Sequence, residues 1–116
     1  MNTKSPECYT TEPQASCLRI EMPTGRIYLL PLDQFPFAEM DSDGKEQLLH
    51  LSFATHEIMV RGHALRRIET ALHRLELSFI TTLPAKYHPL VPDGQPKIRD
   101  IVVTETKPGD EPSQLN

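Results

Sequence analysis

Between Leu48 and Leu75 the apolar positions change their period. Leu49, Leu51 and Phe53 alternate with polar neighbours. The alternation resumes out of phase at Ile58 and Val60, and beyond Gly62 the spacing becomes helical at Leu65, Ile68, Leu72 and Leu75. Alternation puts side chains on opposite faces of a strand, whereas a period near 3.6 gathers them on one stripe of a helix. The pattern predicts a strand handing over to a helix across Gly62. The phase change near Thr55 cannot occur within one regular strand. It predicts a tight hairpin between Phe53 and Ile58, followed by a strand over residues 57–61.

On a helical wheel Ala64, Leu65, Ile68, Ala71, Leu72 and Leu75 fall within an arc of about 120°. Arg66, Arg67, Thr70, His73 and Arg74 occupy the other side. Such a helix must lay its apolar stripe on a sheet. Upstream, Leu18, Ile20 and Met22 alternate with Cys17, Arg19 and Glu21, which predicts a strand with one wet face. Pro23-Thr24-Gly25 reads as a turn, and residues 26–30 as the next strand, with Pro31 ending it or marking an edge. Phe35, Phe37 and Met40 predict a third short strand, with Pro36 arguing for an edge position because proline cannot donate to a ladder. Asp41-Ser42-Asp43-Gly44 reads as the turn joining it to residues 47–54. Residues 77–83 fit a continued helix by spacing, but Phe79, Ile80, Thr81 and Thr82 favour a strand. Residues 84–97, with Pro84, Pro89, Pro92 and Pro96, read as a long loop. Ile98, Ile101, Val102 and Val103 then predict a last strand over 98–105.

Together these elements predict an α+β domain. A mostly antiparallel sheet, or a small open barrel, of six or seven short strands packs against one amphipathic helix. The chain has 116 residues, enough for one domain. Residues 1–16 and 106–116 lack a sustained apolar period and read as disordered tails, leaving 17–105 as the folded unit. A unit of that size buries a modest fraction of its surface, so self-association is expected.

Composition narrows the chemistry more than it names it. No apolar run approaches the roughly 18 residues of a membrane span. Two cysteines, Cys8 and Cys17, are too few for a disulfide framework, so a cytoplasmic location is expected. His56-Glu57 begins like a zinc-protease helix, but Val60 stands where the second histidine is needed. His63 and His73 are too far apart on one helix to share an ion. Asp41-Ser42-Asp43-Gly44 begins like a calcium loop, yet Glu46 and Ser52 replace the glycine and glutamate required there. There is no Gly-x-Ser-x-Gly elbow and no glycine-rich phosphate loop. Glu39, Asp41 and Asp43 sit around a solvated turn that would leave them all ionised. No catalytic residue, metal ligand or cofactor is therefore assigned.

One charge asymmetry stands out. The chain has a net charge of −4, yet Arg61, Arg66, Arg67 and Arg74 face only Glu69 between residues 61 and 75. With His73 these form the candidate binding residues, suited to phosphates or an acidic protein surface. A solvated outer helix face accounts for the same pattern, and no aromatic lies among them to stack a base. Pro89-Leu90-Val91-Pro92 has polyproline-ligand spacing without a flanking arginine. The reading favoured is a non-enzymatic accessory or protein-interaction module that self-associates through edge strands and the apolar side of Phe35, Phe37, Tyr87 and Leu90. Weak nucleic-acid or acidic-partner binding through the arginines is the first alternative, and a small enzyme or metal protein with a site assembled from distant residues is the second.

Overall fold

In the computed structural model, residues 7–34 and 37–106 are described. They form strands β1 (Tyr9–Thr11), β2 (Cys17–Glu21), β3 (Ile27–Pro31), β4 (Phe37–Asp43), β5 (Glu46–Ser52) and β6 (His56–His63). Helix α1 (Arg66–His73) and strands β7 (Leu77–Thr81) and β8 (Lys97–Glu105) follow, with short 3₁₀ segments at Leu32–Gln34 and Ala85–Leu90. The strands make two four-stranded sheets, ordered β1-β7-β2-β3 and β4-β5-β6-β8. Pairing is antiparallel throughout except between β2 and β7. The fold is thus mostly antiparallel and α+β, with no closed barrel among the described residues. These residues differ from the sequence expectation in forming eight strands divided between two sheets.

The second sheet is a local meander completed by β8. The hairpin between β5 and β6 is closed by Phe53 N–H donating to the His56 carbonyl at 2.9 Å, and this two-residue turn is what reverses the apolar phase near Thr55. Leu49 and Leu51 oppose Val60 and Ile58, which in turn oppose Ile101 and Val103. Of these, all but the half-buried Val103 are buried. The first sheet contributes Leu18, Ile20, Leu30, Leu77 and Ile80 to the same core, and α1 contributes Ile68, Ala71 and Leu72. Burying this many branched side chains, each worth about 1.5–3 kcal/mol, is what holds the two sheets and the helix together.

The helix is shorter than the wheel predicts. The Leu65 N–H, an orphan donor at its start, donates to Gln47 Oε1 on β5 at 2.6 Å. At its end Leu75 N–H donates to the Leu72 carbonyl and Glu76 N–H to the Ala71 carbonyl, the two bonds of a Schellman motif. Leu75 takes the left-handed conformation there, with φ 56°, where glycine is usual. Its side chain leaves the apolar stripe and is 46% exposed, correcting its assignment to the core face.

Gly62 is also not the turn residue that the change of period implied. It lies within β6, opposite Ile98, at a bulge that leaves Arg99 without a partner on β6. A Cβ on Gly62 would run into the Lys97 carbonyl and sit 3.0 Å from the Ile98 Cα. Glycine is needed because β8 crosses it at close range. Ala64, with φ 57°, makes the turn into the helix instead.

The N-terminal segment read as disordered contains structure where it is described. Strand β1 pairs antiparallel with β7, Thr81 N–H donates to the Cys8 carbonyl at 2.9 Å, and Cys8 is buried. Three residues of β-pairing and one small buried thiol leave no periodic trace. Residues 1–6, Phe35, Pro36 and 107–116 lie outside the described residues. Strand β7 and the loop after it stand where the sequence placed them, β3 is an edge strand ending at Pro31, and β4, which begins at Phe37, is also an edge strand.

Candidate functional site

Helix α1 lies with its buried stripe inward, so Arg66, Arg67, His73 and Arg74 are exposed. Its eight residues carry two faces outside the core. Arg66 and His73, two turns apart, share a cleft of about 370 Å³ with Glu69, Leu72 and residues Ala38, Glu39 and Met40 of β4. Arg67 and Arg74 are not in that cleft. The cleft has an apolar floor of Leu72, Met40 and Ala38. Arg66 lines it together with Glu39 and Glu69, so it carries no strong field of one sign.

Arg61 does not join this group. On β6 it sits opposite Leu48 and Asp100, between the inward-facing Val60 and Gly62. Alternation therefore puts it on the outer face of the second sheet, away from α1. Nearby on that sheet Glu46 accepts two bonds from Arg99, at 2.6 Å from Nε and 2.9 Å from Nη2. The guanidinium of Arg99, with smaller contributions from His63 and Arg61, holds the Glu46 carboxyl below its usual range. The bulge thus gives Arg99 a structural task, fastening β8 to β5 across β6. His50 Nε2 and Glu57 Oε1 lie 2.9 Å apart on the same sheet.

The helix arginines make no ion pair among the described residues. Their charge is left to solvent or to a partner.

A second cleft, of about 430 Å³, runs beside β1 and is lined by Glu7, Cys8, Tyr9, Thr10, Val91 and Pro96 among others. Cys8 Sγ donates to the Pro96 carbonyl at 3.3 Å. Burial pushes its thiol above the ordinary cysteine value. A protonated, buried thiol is a poor nucleophile. Among the described residues no group of three or more His, Cys, Asp or Glu side chains is placed to hold a metal ion, and no helix is long and apolar enough to cross a membrane.

The more distinctive surfaces are apolar ones that the sequence reading did not single out. Ile27 and Leu29 on β3 are 47% and 61% exposed, and Val102 on β8 is 54% exposed. Of the residues expected to form an apolar contact, Tyr87 and Leu90 are indeed exposed. Phe35 lies outside the described residues, and only the backbone of Phe37 is described. No family model matches this chain, and neither does any curated protein or solved structure.

Proposed function

We propose that this protein is a small non-enzymatic accessory or protein-interaction module that associates with copies of itself. The observation that supports this most is the pair of water-exposed branched side chains on one sheet edge, Ile27 and Leu29 on β3. Edge strands present unpaired backbone groups, and apolar side chains beside them favour pairing with another chain. Light scattering over a concentration series tests the reading. The weight-average mass should rise from 13.2 kDa toward twice that value. A mass that stays at the monomer value up to about 1 mM, the weak end of the affinity scale, overturns it.

A second reading has its own support. The unpaired, exposed Arg66, Arg67 and Arg74, with His73, could take up an acidic protein surface or a nucleic-acid strand. Fluorescence anisotropy of a labelled single-stranded oligonucleotide and of a labelled polyglutamate peptide should then show weak binding near 50 mM salt that is largely lost by about 200 mM. Absence of binding to both probes at the lower salt eliminates this role.

A further inference from the structure

We infer that the self-association proposed above runs through β3, which pairs antiparallel with the β3 of a second copy about a twofold axis at Leu29. This rests on that reading and adds the surface and the register. The ladder between β2 and β3 decides which backbone groups are available. Met22 N–H donates to the Arg26 carbonyl and Leu32 N–H to the Ser16 carbonyl, each at 2.9 Å. Bonded pairs alternate with non-bonded pairs along an antiparallel ladder. Tyr28 and Leu30 therefore direct their backbone groups to β2, while Ile27, Leu29 and Pro31 direct theirs to the open edge. Leu29 and the partner's Leu29 exchange both backbone bonds in the inferred register, and each Ile27 N–H meets the partner's Pro31 carbonyl. Pro31 has no N–H to offer, which ends the ladder there.

The side chains agree with this register. Ile27, Leu29 and Pro31 share the outer face, opposite the buried Leu30 and the half-buried Tyr28. A twofold axis at Leu29 sets Leu29 beside the partner's Leu29 and Ile27 beside the partner's Pro31. The strip is wholly apolar, with no like charges across the axis, as an isologous contact requires. Charge is complementary at its ends. Exposed Arg26 precedes the strand and exposed Asp33 follows it, so each Arg26 comes to the Asp33 end of the other copy. The remaining edges are protected in ways that β3 is not. Strand β4 carries exposed Glu39 and Asp41, β8 has the Arg99 bulge and Asp100, and β1 is three residues long. Charges and bulges of this kind are how edges avoid pairing.

A single strand pair buries much less than the roughly 800 Å² per partner of a stable complex, so association is expected at about 0.1–1 mM. The experiment compares the wild type with Leu29→Glu and Val102→Glu by sedimentation over that range, with thermal melts confirming that both variants fold. A Leu29→Cys, Cys17→Ser double variant is oxidised in parallel. Its paired Cα atoms would lie about 5.5 Å apart, within disulfide reach. The inference expects Leu29→Glu to stay monomeric throughout, Val102→Glu to associate like the wild type, and the cysteine variant to form a disulfide dimer. If the wild type associates but Leu29→Glu associates equally, or Val102→Glu abolishes association, β3 pairing is overturned while self-association stands. If the wild type stays monomeric, both fall.

Discussion

Replacing Gly62 with alanine is expected to destabilise the fold by about 3 kcal/mol, near the upper end of the usual overpacking range. The added methyl would meet the Lys97 carbonyl and the Ile98 Cα. Both are backbone atoms, so no rotamer change can relieve the contact. Strand β8 would have to draw back, giving up its bonds to β6 and the burial of Ile98 and Ile101. Urea unfolding measures the effect directly. A midpoint shift equivalent to less than about 0.5 kcal/mol, the scale of an ordinary surface substitution, would show that β8 does not pass so close to Gly62.

The second large effect is expected at Leu72. It is 2% exposed and lies in the core shared by both sheets, so truncation to alanine should cost about 2–5 kcal/mol through lost transfer energy and the cavity left behind. Arg67, four residues on from His63 and exposed on the same helix, should lose well under 1 kcal/mol on the same truncation. The contrast carries the information, because both changes keep alanine's high helix propensity. Equal, small losses in chemical denaturation would mean that α1 is not seated on the sheets as described.

Much of the second sheet was legible because β4, β5 and β6 follow one another in sequence and β5 and β6 alternate cleanly. Leu49 and Leu51, then Ile58 and Val60, each mark one face, and the phase change between them places the hairpin between Phe53 and Ile58, where the structure closes it at Phe53–His56. The helix was legible from Ile68, Ala71 and Leu72, but its end was not. Leu75 continues the apolar spacing, yet capping geometry carries it out of the stripe, and spacing alone does not encode a left-handed residue. Gly62 sits where the period changes, but the reason for a glycine there is not local, since the nearness of β8 depends on residues 35 positions later. The split into two sheets was hidden for a similar cause. Strand β7 pairs with β2 across a separation of 60 residues, Arg19 to Phe79, and no local pattern records that choice.

The surfaces divide in the same way. The wheel correctly placed Arg66, Arg67, His73 and Arg74 on the outer side of α1, but Arg61 precedes the helix and follows strand alternation to another face. Nothing in the sequence foretold that Arg66 and His73 would share a cleft with β4. Pro31 marks β3 as an edge, but the exposure of Ile27 and Leu29 is not legible because Ile27-Tyr28-Leu29-Leu30 is apolar at every position. Where both faces of a strand are apolar, alternation cannot say which one is wet, and only the placement of Leu30 in the core leaves Leu29 outside.

The central position of β7 in the first sheet also bears on the order of events during synthesis. Strand β1 pairs with β7 alone, and β2 gains its second neighbour from the same strand. Strands β4, β5 and β6 follow one another in the chain and can pair as soon as they leave the ribosome, whereas Tyr9–Thr11 must wait for β7. Closure of the first sheet waits for a strand that emerges more than sixty residues after β1, which leaves β1 open to proteases and chaperones longest.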